Sequence, residues 1–415
     1  EKEGSYYTIK QLWSPVQVMN TAIDRNFNGR LSVENRYDYL NLNTCRFIWQ
    51  QVKFPSVTDA SNTTTRILKQ GEVQGNDVAA HGVGVVDIKT SILPEADALF
   101  LTVIDKYGHE LWRWTFPVDK LNRETEQFSA LSGRASYTET EKGITVKANG
   151  RTFVFSKEDG QLKDVSVNNR KISFANGPRF IGARRADRSL DQFYNHDDEK
   201  AKAKDRTYSE FTDAAVFTKL DVKEEGGNLI LTANYKLGNL DKAQWTIHPD
   251  GMATLDYTYN FSGVVDLMGI CFDYPEEQVL SKRWLGAGPY RVWQNRIHGT
   301  QYDIWENDYN DPIPGETFTY PEFKGYFGSV SWMSIRTKEG TISLTNETPD
   351  SYIGVYQPRD GRDRLLYTLP ESGISVLNVI PPVRNKVNST DLCGPSSQPK
   401  WVDGPQTGRL VLRFE

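Results

Sequence analysis

Short segments in which apolar residues alternate with polar or small ones recur along this 415-residue chain. The alternation is clearest in LILTANYKL at 229–237 and in LDYTYNF at 255–261. Because successive side chains of a β-strand point to opposite faces of a sheet, a period of two predicts antiparallel sheets with one buried face. The pair Asn149-Gly150 separates two further segments of this kind and predicts a β-hairpin turn. The fold class is therefore predicted to be all-β.

The composition agrees with sheets and narrows the range of partners. The chain has 20 Tyr, 19 Phe and 10 Trp but 4 Met, and aromatic side chains suit the half-buried surface of a sheet. Its net charge of −5 comes with both signs interspersed, which argues against a nucleic-acid partner. No apolar run reaches the about 18 residues that a membrane span needs.

The patterning divides the chain into two domains. Residues 1–120 are predicted to form a seven-stranded sandwich and residues 135–415 one large sheet domain. Residues 121–134 are polar and weakly patterned, as a linker would be. The polar stretch 189–204 is the clearest helix candidate, with Ser189 as its N-cap, and is predicted to be a solvated surface turn or a short helix. The predicted core residues are Trp13, Val33, Trp49, Leu101 and Trp112 in the first domain and Phe153, Phe155, Leu231, Leu255, Tyr257 and Trp332 in the second.

Metal ligands and cofactor motifs are not predicted. Cys45, Cys271 and Cys393 are far apart, their spacing fits no zinc site, and we expect all three to be small buried apolar residues. The segment 302–316 is acidic, but its spacing fits no EF-hand loop, so a solvated acidic loop is favoured over a calcium or sodium site. Its acids are Asp303, Glu306, Asp308 and Asp311.

The segment WLGAGPYRVWQNR at 284–296 is the clearest candidate for chemistry. Gly286 and Gly288 are expected to adopt backbone angles that a Cβ would forbid, and Pro289 to fix the exit from this turn. Aromatic faces and planar donors on a rigid turn suit a sugar, whose apolar face stacks and whose hydroxyls need fixed partners. The alternative is a surface turn over a small aromatic core. The carbohydrate-binding candidates, expected to line one concavity, are Tyr290, Trp293, Arg296, His298, Glu322 and Lys324.

This segment resembles a signature in the last domain of family 2 β-galactosidases. Other segments resemble that family in the same order along the chain. WSPVQV at 13–18 and NRYDYLNL at 35–42 are similar to the Ig-like sandwich that follows the catalytic barrel. The stretches 151–165 and 177–189 are similar to the opening of the final domain. The resemblance implies an Ig-like β-sandwich followed by a large β-supersandwich of the galactose-mutarotase kind.

The resemblance also implies a division of labour. Family 2 enzymes are retaining glycosidases whose two catalytic Glu residues lie on an upstream (β/α)₈ barrel. Such a barrel takes about 250 residues of alternating strands and helices, a pattern that this chain does not show. We therefore expect the non-catalytic C-terminal region of a β-galactosidase-like glycoside hydrolase, inactive alone, which supports the active site of the missing barrel and could contact carbohydrate. A homo-oligomer is left open, and a bacterial periplasmic or secreted location is favoured.

Two other functions fit the same sequence. The chain could be a free-standing carbohydrate-binding protein, which needs no catalytic partner. It could also be a mutarotase-type sugar epimerase, in which His298 and Glu322 would serve as acid and base on either side of the ring. Glu322 and Lys324 could equally form an ordinary cross-strand ion pair.

Two further sets of residues resemble functional groups of such enzymes. Asn346-Glu347 copies the residue pair that carries the family's acid/base, but it falls where a strand enters a proline turn, so a catalytic role is not expected. The basic side chains would suit an acidic sugar such as a uronide through bidentate hydrogen bonds. They are Arg184, Arg185, Arg188 and Arg291.

Overall fold

The chain folds into sheets throughout the part that the structure, a computed structural model, describes. The described residues are 4–59, 64–118, 133–185, 208–211, 214–308, 325–355, 370, 372–382 and 394–415. Within them one α-helix, α1 (Gly4–Leu12), stands beside 27 strands, so the all-β prediction is confirmed. Short 3₁₀ turns lie at Leu42–Thr44, Glu276–Gln278 and Pro395–Ser397.

Two compact units divide the chain. The first consists of Glu1–Asn122 together with two later segments, Leu285–Tyr290 and His298–Trp305. The second consists of Arg123–Trp284, Arg291–Ile297 and Glu306–Glu415.

The first unit is built on two antiparallel sheets. One has the order β1-β2-β5 and the other the order β4-β3-β6-β7. Their inner faces bury Val33, Phe47, Trp49, Leu101 and Phe116 in one core cluster. The strands are β1 (Val16–Val18), β2 (Arg30–Asn35), β3 (Arg46–Lys53), β4 (Arg66–Gln74), β5 (Val83–Asp87), β6 (Ala98–Ile104) and β7 (Glu110–Pro117).

Trp13 is the one predicted core residue that the structure contradicts. Its side chain is 80% exposed, whereas Val33, Trp49, Leu101 and Trp112 are buried as predicted. The reason is that Trp13 closes the last turn of α1, where its amide donates to the carbonyl of Ile9 at 2.9 Å. The strand alternation begins only at β1, so Trp13 lies outside it.

Two much larger antiparallel sheets make up most of the second unit. One has eleven strands in the order β22-β25-β26-β19-β13-β11-β10-β9-β8, with β12 on β11 and β14 on β13. The other has nine in the order β15-β16-β17-β18-β27-β24-β23-β20-β21. The strands are β8 (Ser136–Glu139), β9 (Gly143–Ala148), β10 (Arg151–Ser156), β11 (Leu162–Val167), β12 (Arg170–Ile172), β13 (Ala175–Arg185), β14 (Tyr208–Glu210), β15 (Val216–Glu225), β16 (Asn228–Lys236), β17 (Leu240–Ile247), β18 (Ala253–Val265), β19 (Leu267–Asp273), β20 (Val279–Gly288), β21 (Gln301–Asp308), β22 (Phe327–Gly328), β23 (Trp332–Thr337), β24 (Thr341–Asn346), β25 (Tyr352–Val355), β26 (Ile374–Val379) and β27 (Lys400–Phe414).

Aromatic rings join the two large sheets. Trp245 on β17 lies between Phe155 on β10 and Phe272 on β19, with ring centroids 5.9 and 6.1 Å away. Phe174 stacks on Phe272 at 4.5 Å and also meets Phe414 on β27 at 5.3 Å. We call this set, with Phe153, the aromatic seam. All six predicted core residues of the second domain are buried on these sheets.

The predicted β-hairpin is confirmed. Asn149 and Gly150 join β9 to β10, which pair from Ala148 and Arg151 onward. Both turn residues have positive φ, 41° and 76°, as a two-residue turn matched to the twist of its strands requires.

Some sequence-based predictions fall on residues outside the described part. They are the helix at 189–204, most of the linker at 121–134 and the burial of Cys393. Cys45 and Cys271 are buried free cysteines, as predicted. No helix in the described ranges is long and apolar enough to cross a membrane.

The turn between β17 and β18 places a histidine inside the second unit. His248 is 5% exposed, and its Nε2 lies 2.9 Å from Oγ1 of Thr254. Burial lowers the pKa of His248 below its ordinary value of 6.5; Asp250 opposes this effect and Arg409 adds to it. The neutral imidazole is therefore the form that the fold favours.

We expect the stability of the chain to depend on pH through His248. A lowered folded-state pKa gives stability that is complete above 6.5 and is lost as the pH falls through the folded value. The free energy of unfolding should thus fall on the acid side by up to about 1.4 kcal/mol per pH unit. Urea unfolding of the wild type and His248→Gln measures this component, which the variant should lack. The exposed His109→Gln is the matched control, and an acid-side slope unchanged in His248→Gln would contradict the prediction.

Candidate functional site

Strand β20 carries the first part of the signature segment, and its glycines differ from expectation. Gly286 and Gly288 lie within this extended strand, and neither is among the residues with positive φ. A glycine is needed at 288 for space, because a Cβ there would lie 2.3 Å from the indole of Trp305. The same indole donates through Nε1 to the carbonyl of Gly286 at 3.1 Å. Pro289 follows through a cis peptide bond.

Tyr290 anchors this segment within the first unit. Its side chain is 7% exposed, and its hydroxyl donates to the carbonyl of His298 at 3.2 Å. Thr8 on α1 donates to the same carbonyl at 2.8 Å, and the ring of Tyr7 lies 5.9 Å from that of Tyr290. Burial raises the pKa of Tyr290 well above its ordinary value. The phenol is therefore a neutral hydrogen-bond donor at physiological pH.

The returning segment His298–Trp305 is also held within the first unit. The amide of Gly299 donates to Oε1 of Gln11 at 2.6 Å. Gly299 has a φ of +89°, and a Cβ there would lie 2.4 Å from the hydroxyl of Tyr290. This position therefore requires glycine for both its backbone angle and its surroundings. The side chain of His298 itself is exposed.

Asp303 corrects the expectation of a solvated acidic loop. Residues 301–308 form strand β21, and Asp303 there pairs with Nη2 of Arg113 at 2.9 Å. Thr65 donates to its other oxygen at 3.0 Å. The charge of this acid is therefore matched within the first unit, to which residues 298–305 belong. Asp311 lies outside the described residues, among which no group of three or more His, Cys, Asp or Glu side chains could hold a metal.

Residues 291–297 are fixed within the second unit by backbone and amide hydrogen bonds. Val292 exchanges both backbone hydrogen bonds with Tyr326, at 2.7 and 2.9 Å. Gln294 donates through Nε2 to the carbonyls of Ser396 and Gln398 at 2.9 and 2.7 Å. Asn295 donates to Oγ of Ser397 at 3.1 Å. These hydrogen bonds connect the turn to the segment before β27. The sequence did not predict this connection.

Trp293 serves the core of the second unit. It has no exposed surface, lies edge-on to Tyr326 at 5.7 Å and packs in one cluster with Val292, Leu377 and Ile380. The environment of Trp293 therefore agrees with the alternative interpretation, in which the segment is a turn over a small aromatic core. Arg296, whose amide donates to the carbonyl of Trp293 at 2.8 Å, is exposed.

The six carbohydrate candidates are thus distributed as follows. Tyr290 and His298 belong to the first unit, Trp293 and Arg296 to the second. Glu322 and Lys324 lie outside the described residues. A concavity shared by all six stays a prediction. The residues that hold the segment in place were not predicted, because their partners are far away in sequence; they are Thr8, Gln11, Arg113, Gln294 and Asn295.

Asn346-Glu347 lies at a strand end, as expected from the sequence. Asn346 is the last residue of β24 and donates to the carbonyl of Val330 and to Oγ of Ser351 at 3.2 and 2.9 Å. Glu347 pairs with Nε of Arg409 at 3.2 Å. Both side chains therefore stabilise the end of the strand.

The arginines proposed for an acidic sugar are partly accounted for by the protein. Arg184 pairs with the buried Asp266 at 2.8 Å. Arg291 is 7% exposed, and its guanidinium lies 6.0 Å from the ring centroid of Phe327. The side chain of Arg185 and the whole of Arg188 lie outside the described residues. Recognition of a uronide stays a hypothesis. Arg184 already has a protein carboxylate, that of Asp266, as its partner.

Comparison with known families decides the assignment. Residues 147–377, more than half of the chain, match the family described as β-galactosidase small chain. This chain belongs to the β-galactosidase small chain family. The matched stretch of this small-chain protein contains the signature segment and most of the two large sheets. The resemblance to β-galactosidases is confirmed to this extent, and the Ig-like assignment of residues 1–120 lies outside the match.

Solved structures give more distant likenesses to this small-chain protein. Galactose 1-epimerase from Lactobacillus acidophilus NCFM is 9% identical, with a TM-score of 0.39, over 68% of this chain and 99% of its own. A putative mutarotase, YeaD, from Salmonella typhimurium is 10% identical, with a TM-score of 0.32, over 69% and 95%. At such scores the likenesses carry no functional argument. Curated proteins gave no significant match.

We expect Gly288→Ala to destabilise the small-chain protein. The added methyl group would overlap the indole of Trp305, and overpacking of this kind lowers the free energy of unfolding by about 1–3 kcal/mol. Gly394→Ala is the matched control, since a Cβ there meets nothing within 4 Å and should change stability by less than about 0.5 kcal/mol. Urea unfolding followed by tryptophan fluorescence compares them. Equal urea midpoints for the two variants would contradict the prediction, because they would show that β20 accommodates the methyl group with no loss of stability.

Proposed function

We propose that this chain is a non-catalytic part of a β-galactosidase-like glycosidase, in which it supports an active site supplied by a separate catalytic barrel. The observation that carries the proposal is the match of residues 147–377 to the β-galactosidase small chain family. A small chain implies a larger one, and the larger one would carry the chemistry. The barrel would bring the paired carboxyl groups that retention requires, about 5–5.5 Å apart.

The contacts of two acids that the sequence analysis considered, Asp303 and Glu347, support a non-catalytic role for this chain. Asp303 is held by Arg113 and Thr65, and Glu347 by Arg409. A general acid or a nucleophile must instead present its carboxyl group to the substrate. These two carboxylates therefore suit structural roles.

The hydrogen bonds around the signature segment support a scaffolding role. Its first part is fixed in the first unit through Tyr290 and Trp305, and its middle part in the second unit through Gln294 and Asn295. A binding surface loses less entropy on binding when its residues are already ordered. Among the candidates of the first unit, His298 is the exposed side chain that we propose for contact with the sugar, and Tyr290, which donates to its carbonyl, would hold it in place.

Trapping the covalent intermediate tests the proposal. The holoenzyme, purified through this polypeptide with whatever it is assembled with, is treated with a 2-deoxy-2-fluoro-β-galactosyl fluoride, and the labelled peptide is mapped by mass spectrometry. We expect the label on a Glu outside residues 1–415, and neither label nor aryl β-galactoside hydrolysis when this chain is assayed alone. A label on any Glu or Asp of this chain would overturn the proposal. So would a purified protein that binds sugar without any hydrolytic partner, which is the outcome that the free-standing binding protein predicts.

A further inference from the structure

Strands β18 and β27 extend beyond the strands on either side of them. They pair continuously from Ala253 with Leu412 to Val265 with Lys400. In the described part of the chain, β17 pairs with β18 only as far as Tyr259, and β24 reaches β27 only at Leu410. Residues 260–265 and 400–405 therefore form a two-stranded ribbon at the end of the nine-stranded sheet.

One face of these two strands is open to solvent. Along β27, exposed residues alternate with half-buried ones from Trp401 to Thr407, which is the pattern of a strand with one free side. Ser262 and Val264 are the exposed residues opposite them on β18. The facing pairs on this side, which we call the ribbon face, are Val264 with Trp401, Ser262 with Asp403, Asn260 with Pro405, Thr258 with Thr407 and Asp256 with Arg409.

We propose that the ribbon face binds a neutral oligosaccharide, with Trp401 stacked against one sugar ring. The indole of Trp401 is 69% exposed, and Val264 beside it is 39% exposed. A flat indole matches the apolar face of a pyranose, and the hydroxyl and carboxylate groups that follow it can bind the sugar hydroxyls. The amide of Asn260 already donates to Asp241. The proposal concerns a surface of the second unit and does not rest on a catalytic partner.

The dimensions of the ribbon face fit an extended chain. Side chains on one face of a strand are spaced by roughly 6.8 Å, so the face runs roughly 27 Å from Val264 to Asp256. That length can follow several sugar rings laid along the strands. A single monosaccharide would cover only the end that carries Trp401.

The charges of the ribbon face favour an uncharged ligand. Arg409 is held by Asp256 and by Glu347, each at 3.2 Å, so its guanidinium is already matched by protein carboxylates. Asp403 stands in the middle of the face, opposite Ser262, and offers acceptor oxygens to hydroxyl groups. An acidic ligand would meet this carboxylate on a face whose arginine is already paired.

A protein partner fits the ribbon face less well. Stable protein interfaces bury about 800 Å² on each side around an apolar centre. Here the large apolar side chains, Trp401 and Val264, lie together at one end, and apart from Pro405 the rest of the face is polar. Sugar stacking needs one ring of this kind, whereas a protein interface needs several near its middle.

Fluorine NMR of the full chain with 5-fluorotryptophan tests the proposal. The probes are the β-1,4-linked tetraoses of galactose, glucose, mannose and xylose, and Trp401→Phe assigns the resonance of Trp401. We expect at least one tetraose to shift that resonance in a saturable way. Isothermal titration calorimetry, which needs no signal from position 401, compares the variants: Trp401→Ala should weaken this binding at least about tenfold, while Trp401→Phe should retain most of it. Asp403→Asn should weaken it by a smaller factor.

Trp13→Ala is the matched control, because Trp13 is also an exposed indole and belongs to the first unit. It should leave binding unchanged. Failure of all four tetraoses to shift the Trp401 resonance would overturn the proposal, as would binding that survives Trp401→Ala. Self-association that Trp401→Ala abolishes, seen as a fall in mass by light scattering, would overturn it in favour of a contact between copies. None of these outcomes depends on hydrolysis, so they leave the proposed function to its own test.

Discussion

The contact of Trp245 with Phe155 and Phe272 is the interaction on which the second unit depends. Trp245 belongs to the nine-stranded sheet, and both phenylalanines belong to the eleven-stranded one. Each buried aromatic side chain removes about 150–250 Å² from water, which stabilises the fold by roughly 4–6 kcal/mol as an upper estimate. Because the aromatic seam provides the core, the outer faces of the two sheets need no apolar side chains. They can carry polar ones, as the ribbon face does.

Alternation predicted strands well where burial repeats along one element. Leu231, Leu255 and Tyr257 are core residues because every second side chain of β16 and β18 points inward. The prediction that Trp13 is a core residue was wrong because the end of α1 sets its position. Local hydrophobicity does not distinguish a buried tryptophan from one on an exposed helix end. Gly286 and Gly288 show a similar limit. Their residue type indicated a special position, but only the structure shows that the indole of Trp305, not backbone angle, is what Gly288 accommodates.

The sequence predicted which segment of the chain carries the candidate site. It did not predict the contacts that the residues of this segment make. The residue types of 284–296 suggested sugar recognition, whereas the structure shows several of them bound to protein groups. Gln294 holds two carbonyls more than a hundred positions away, and Tyr290 holds the carbonyl of His298. Amide and phenol groups serve both purposes equally well, so composition cannot separate them. What separates them is burial, which depends on strands far apart in sequence.

The first unit is made of pieces that are not neighbours along the chain. Arg113 needs Asp303, α1 needs the carbonyl of His298, and Gln11 needs the amide of Gly299. An exchange of residues 4–118 between relatives would separate each of these side chains from a partner with which it had evolved. Residues 4–118 are therefore not an independent module for recombination. Changes in α1 and in the segment 298–305 should be inherited together, and divergence in one should be followed by compensating divergence in the other.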